Sequence, residues 1–175
     1  MIPYGRQSVS QDDIDAVVGV LKSDFLTQGS VLPDFEKAVA HKVGAGFAVA
    51  ANSATSSLHS AVAALGLGPG DLLWTTPITF VATANCARYL GADVDFVDID
   101  PATFNMCPDA LEEKLIAAEK SGRLPKIIAP VHMCGQSPDM RRLSSLARRY
   151  GVKIVEDASH EIGASYEDQP DGCCT

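Results

Sequence analysis

Three short segments hold the residues whose types and spacing could do chemistry. Asn52-Ser53-Ala54-Thr55-Ser56-Ser57 is rich in hydroxyls and small side chains and runs into a helical pattern. Small residues let a backbone approach a ligand and a helix start offers unpaired N–H donors, so the segment suits a phosphate, although an ordinary N-cap accounts for it equally well. Pro77-Ile78-Thr79-Phe80 sets an aromatic after an apolar run, where a flat ligand could stack or a core phenylalanine could pack. Glu156-Asp157-Ala158-Ser159-His160 follows Val152-Lys153-Ile154-Val155. A carboxylate at that strand end could pair with a protonated pyridine nitrogen and keep the ring an electron sink. An N-cap aspartate, a hydrogen-bonded Asp–His couple and half of a hydrolytic triad are the alternatives, the last without a Gly-x-Ser-x-Gly elbow anywhere in the chain.

The elements that must position these residues alternate. Apolar runs at Phe47 to Ala51, Leu72 to Thr76, Val94 to Val97, Lys126 to Val131 and Lys153 to Glu156 predict strands. Between them, Ala54 to Leu65, Thr79 to Tyr89, Asp109 to Ser121 and Met140 to Tyr150 read as helices. Strands alternating with helices imply parallel pairing through right-handed crossovers, hence an α/β domain with helices on both sides of a buried sheet. Ligands of such sheets sit at the carboxyl ends of strands, where all three segments fall. Upstream, Ser10-Gln11-Asp12-Asp13 caps a helix with Ile14, Val17, Val18 and Leu21 on one expected buried face, ending near Ser23. A loop over Asp24 to Gly29 leads to a second amphipathic segment with Phe35, Val39 and Val43, stopped at Gly44 and Gly46. Gly66-Leu67-Gly68-Pro69-Gly70-Asp71 follows a helix and precedes a strand, the wrong order for a dinucleotide loop. The tail from Glu167 to Thr175 is turn-rich with no following strand, where a sheet of this kind usually continues.

Bulk properties narrow the partners. At 175 residues with 46% hydrophobic and 21% charged residues, the chain supports one sizeable core. Fourteen Lys plus Arg against 22 Asp plus Glu give a net charge of -8, which argues against nucleic acid. Arg141-Arg142 and Arg148-Arg149 fall at helical spacing, as on a solvated face. No apolar run reaches the roughly 18 residues a membrane span needs and no signal pattern opens the chain, so a cytoplasmic protein without a membrane partner is expected. Five scattered cysteines suit reduced thiols, and His132 with Cys134 is too sparse a pair for a metal site.

Taken together and in order, Ile2-Pro3-Tyr4-Gly5-Arg6-Gln7, Leu26-Thr27-Gln28-Gly29, Asn52 to Ser56, Thr76 to Asn85, Val97-Asp98-Ile99-Asp100 and Glu156 to His160 resemble the DegT-type family of sugar-nucleotide aminotransferases, and within it the C4 aminotransferases of pseudaminic acid biosynthesis. The resemblance implies the large domain of a fold-type-I pyridoxal-phosphate transferase, a three-layer α/β/α unit with a mostly parallel sheet, incomplete in this chain. It divides the chain into an N-terminal helix and substrate-side loop (1–30) and the N-terminal part of the cofactor-binding domain (31–175), with the small C-terminal domain absent. The implied reaction moves an amino group from glutamate to C4 of a UDP-4-keto-6-deoxy-N-acetylhexosamine, in a homodimer. By motif position, Ala54, Thr55 and Ser56 line the cofactor phosphate, Phe80 stacks on its ring, Asp157 pairs with the ring nitrogen and His160 sits near the phenolic oxygen. Tyr4, Asp24, Phe25, Leu26 and Thr27 match segments that approach the sugar.

One departure is plain. The family lysine that holds the cofactor follows the strand-end aspartate, yet Lys22, Lys37, Lys42, Lys114, Lys120, Lys126 and Lys153 all precede Asp157. Lys153 enters its strand from the far end and reads as structural. The expectation is a fragment of the enzyme that is inactive by itself, with no catalytic residue in this chain. A non-catalytic protein binding pyridoxal phosphate, and a sugar dehydrase of the same family in which histidine replaces the lysine, are the alternatives.

Overall fold

The computed structural model describes residues 6–166 and, as backbone, 169–170. Helix α1 (Gln11–Leu21) starts as its sequence predicts. The Ser10 hydroxyl accepts the Asp13 N–H at 3.2 Å, and the Asp13 carboxylate accepts the Ser10 N–H at 2.7 Å, a reciprocal cap. Helix α2 (Val31–Val43) stops at Gly44, whose φ of 70° is the left-handed turn glycine tolerates. The face of Ile14, Val17, Val18 and Leu21, expected to be buried, is exposed, as is Phe35. The periodicity is that of a packing face, but no residue of either helix is buried among the described elements.

Next come α3 (Ala54–Ala64), β1 (Leu72–Thr75), α4 (Ala82–Arg88), β2 (Asp93–Phe96), α5 (Pro108–Ser121), β3 (Ile127–Ala129), α6 (Met140–Tyr150) and β4 (Lys153–Ile154). The strands form one parallel sheet in the order β2-β1-β3-β4. Leu73 lies beside Ile127 and Trp74 beside Ile128, and alternation sends the two pairs to opposite faces. Leu73 and Ile127 pack with Leu58 and Val62 of α3 and Cys86 and Ala87 of α4, while Trp74 and Ile128 pack with Leu111 and Leu115 of α5 and Leu143 of α6. Both faces of the sheet are therefore covered, and the three-layer α/β/α expectation holds. This double burial is why the central strands β1 and β3 read as continuous apolar runs.

Three expectations change. Phe47 to Ala51 is not a strand, and Phe47 is 93% and Val49 85% exposed. A strand needs a ladder partner; β1 and β3 have both edges occupied, and the run pairs with neither free edge, its Ala50 N–H going instead to Glu36 Oε1 at 2.9 Å. The helix expected from Thr79 begins at Ala82, because Pro77 to Val81 forms a tight loop whose carbonyls at Phe80 and Val81 receive the Thr83 and Ala84 N–H groups. Finally, Gln169–Pro170 (β6) in the tail pairs antiparallel with Ser165–Tyr166 (β5), a ladder too short to show alternation in sequence.

Candidate functional site

Past their regular ladders, β3 and β4 continue through one bridge between Val131 and Asp157. The Asp157 N–H donates to Pro130 O at 2.9 Å, and the His132 N–H donates to Asp157 O at 3.1 Å. This backbone lock delivers Asp157 to the carboxyl end of the sheet, as the strand reading predicts. Asp157 is buried, 7% exposed. Thr83 Oγ1, from the first turn of α4, donates to Asp157 Oδ2 at 2.6 Å, and Ser159 Oγ donates to Oδ1 at 2.6 Å. With the Thr83 proton committed there, the Thr79 hydroxyl is the donor in its 2.8 Å contact with Thr83 Oγ1.

Asp157 lines a small pocket of about 90 Å³ with Thr79, Phe80, Val131, His132, Met133, Cys134, Ser159 and His160. Phe80 is 74% exposed, so its ring is available to a ligand rather than part of the core. Cys134 and Gly135 both take left-handed backbone angles, φ 56° and 81°, as the chain turns under the pocket. Asn105 fastens that turn: its Oδ1 accepts the Met133 N–H at 3.0 Å and its Nδ2 donates to Gln136 O at 2.9 Å.

Beneath the pocket lies a buried charged cluster. His132 Nε2 is 3.2 Å from Glu156 Oε2, and His132 Nδ1 is in close contact with Glu161 Oε2. Both contacts are ion pairs when the imidazole is protonated. Burial opposes the imidazolium, but the Glu156 and Glu161 carboxylates outweigh it and hold the His132 pKa above its ordinary value.

The structure gathers Phe80, Asp157 and His160 around one pocket. Ala54, Thr55 and Ser56 open α3 and are not among its lining residues. There, Ser53 caps the helix by accepting the Ser56 N–H at 3.3 Å, and Ser56 Oγ donates to Asn52 Oδ1 at 2.7 Å. Phe25, Leu26 and Thr27 line a different, apolar groove with Val20, Leu32 and Phe35, and Asp24 is exposed beside it. Tyr4 lies outside the described residues. Thr83, Ser159, His132 and Glu161 were missed by sequence reasoning as site residues. Ser159 alone carried a local signal, a hydroxyl two residues after the aspartate.

Residues 7–174 match the DegT/DnrJ/EryC1/StrS aminotransferase family. The chain belongs to that family. A Campylobacter jejuni UDP-4-amino-4,6-dideoxy-N-acetyl-beta-L-altrosamine transaminase is 40% identical over 167 residues, which are 95% of this chain and 43% of that protein. The Bacillus subtilis spore coat polysaccharide biosynthesis protein SpsC is 38% identical over 95% of this chain and 41% of its own length. Among solved structures, Helicobacter pylori PseC, an aminotransferase of pseudaminic acid biosynthesis, superposes with a TM-score of 0.88 at 32% identity, covering 97% of this chain and 44% of that one. The putative sugar aminotransferase Spr1654 of Streptococcus pneumoniae gives 0.88 at 28% identity in its PMP form, covering 98% and 45%. The chain thus spans less than half the length of these DegT-type relatives.

Pyridoxal phosphate is the cofactor of the DegT-type aminotransferases, and the donor set here fits it. Among the described residues Asp157 takes hydrogens from two neutral hydroxyls and pairs with no lysine or arginine, so a buried carboxylate is left to meet a cationic ring nitrogen.

Proposed function

We propose that the protein to which this chain belongs transfers an amino group from glutamate to C4 of a UDP-4-keto-6-deoxy-N-acetylhexosamine, as a cytoplasmic pyridoxal-phosphate-dependent homodimer. The observation that carries the reading is the single pocket shared by Phe80, Asp157 and His160, with Asp157 buried and, among the described residues, its carboxylate held by the hydroxyls of Thr83 and Ser159. When bound, the protonated pyridine supplies an electron sink for the carbon at which the amino group moves. Asp157 holds the ring nitrogen's proton in place, Phe80 stacks on one face and excludes water from it, and His160 flanks the ring. Ala54, Thr55 and Ser56 hold the phosphate at the N-terminus of α3, where the Thr55 and Ser56 side chains are half-buried and the helix start favours an anion. Residues 1–30, with Tyr4 and Asp24 to Thr27, form the sugar-side segment, and residues 31–175 belong to the cofactor-binding domain.

The chain by itself performs no transamination, since every one of its lysines precedes Asp157 and Lys153 is exposed in β4. Titration of the chain with pyridoxal phosphate, followed by absorbance and intrinsic fluorescence, tests the pocket. Saturable binding that weakens at least about tenfold in Asp157→Ala is expected. Binding unchanged by that substitution, or turnover of glutamate and the UDP-4-keto sugar by the 175 residues alone, would overturn the respective part of the reading.

A further inference from the structure

We infer that His132 is a positioning residue: through its ion pairs to Glu156 and Glu161 it folds the segment 156–161 around the pocket and so sets where Asp157, Ser159 and His160 stand. The inference rests on reading that pocket as the cofactor site, and its geometry stands independently of that reading.

The argument begins with where the two carboxylates come from. Glu156 is the residue before Asp157 in the strand extension, and Glu161 lies four residues after it, in the loop that turns back from the sheet. One imidazole between them closes a ring of chain around Asp157, Ala158, Ser159 and His160. The His132 and Glu161 side chains are buried almost completely, and Glu156 is largely covered, its side chain 9% exposed. Asp157 itself is held to the β3 extension by its backbone bonds with Pro130 and His132; past it, the Glu161 N–H donates to Ala158 O at 3.1 Å, and the Ala164 N–H to Glu161 O at 2.9 Å. Neither of these later bonds reaches the sheet, and the His132–Glu161 contact ties the far end of the loop to the β3 extension.

The other side of the pocket is held differently. Asn105 fixes residues 133–136 through Met133 and Gln136 without using His132's ring. Loosening the clamp is therefore predicted to free 157–161 while leaving 133–136 in place, a pattern that general destabilisation does not produce. The titratable groups facing His132 are Glu156 at the end of β4 and Glu161 in the loop, and Cys134, Asp157 and His160 share the pocket wall. The raised His132 pKa follows from the same geometry.

Amide hydrogen exchange on the whole chain, read residue by residue, tests this with and without pyridoxal phosphate. In Glu161→Gln, exchange at Asp157, Glu161 and Ala164 is expected to accelerate roughly tenfold or more, with Met133, Gln136 and Val97 unchanged. In the unsubstituted protein the same amides lose protection as pH rises through the titration of His132, and in Glu161→Gln that midpoint moves to lower pH. Pyridoxal phosphate affinity is expected to fall in parallel with the lost protection. Glu112→Gln, at a surface ion-pair residue, is expected to change none of these.

Uniform acceleration across the sheet, or unchanged exchange at 157–161 with no shift of the pH midpoint, would overturn the positioning role. If Glu161→Gln fails to fold, the pH profile of the unsubstituted protein decides: a profile flat at 157–161 overturns the inference, and a local transition supports it. Localised loosening in a chain that never binds pyridoxal phosphate would support the clamp and overturn the cofactor reading alone.

Discussion

The Thr83 hydroxyl reaches across 74 residues of sequence to donate to the Asp157 carboxylate at 2.6 Å, joining the start of α4 to the tip of β4. Neither residue announces the other. Their contact exists because β1 and β3 are neighbours in the sheet and α4 packs over β1, so the helix start comes down beside the strand extension that carries Asp157.

Thr83→Val keeps the shape and removes the donor. A buried carboxylate that loses one of two hydroxyl partners is expected to cost about 1–3 kcal/mol of stability. Urea denaturation checks this, with a lowered midpoint and an unchanged slope. Ser159→Ala removes the other donor but exposes Asp157 Oδ1 to water more readily, so a smaller loss is expected there.

Gly135 sits at φ 81°, and a Cβ added to it would lie 2.8 Å from His160 O. Gly135→Ala therefore combines left-handed strain with a backbone collision, and about 1–3 kcal/mol of destabilisation is expected. Because the collision pushes on His160, altered exchange at Ser159 and His160 should accompany the lower unfolding temperature.

The His132 pKa is raised on folding from an ordinary value of 6.5. A histidine whose folded pKa is raised binds its proton more tightly in the native state, so its contribution is complete below about pH 6.5 and is lost as pH rises through the raised value. Urea unfolding measured at steps from pH 6 upward is expected to show stability declining over that window. His132→Gln should be less stable at pH 6 and lack the decline, since it leaves Glu156 and Glu161 facing each other without a countercharge at every pH.

Cysteine chemistry should divide by burial. Burial pushes the Cys86 thiol up to about 11, and its S–H donates to Thr83 O at 3.1 Å, whereas Cys134 is exposed. Iodoacetamide at neutral pH is expected to alkylate Cys134 and spare Cys86, as peptide mass spectrometry would show. Modification of Cys86 without prior unfolding would contradict the packing of α4 on the sheet.

The sequence by itself determined the layered α/β architecture, because strands buried on both faces must be apolar throughout while helices keep a 3.6-residue period. It also determined the family, through motifs spaced along the whole chain, and the placement of Phe80, Asp157 and His160 after their strands. Only tertiary structure decided which apolar runs become strands: Phe47 to Ala51 has the composition of one, but a strand exists by its neighbours, and among the described residues this run pairs with none. Likewise the Ile14 and Val17 face announced burial, a property that belongs to a helix and its cover together. The supports of Asp157 were hidden for the same reason. Thr83, His132 and Glu161 act across a parallel sheet whose partners are distant in sequence, and a contact made by crossover leaves no local spacing to read.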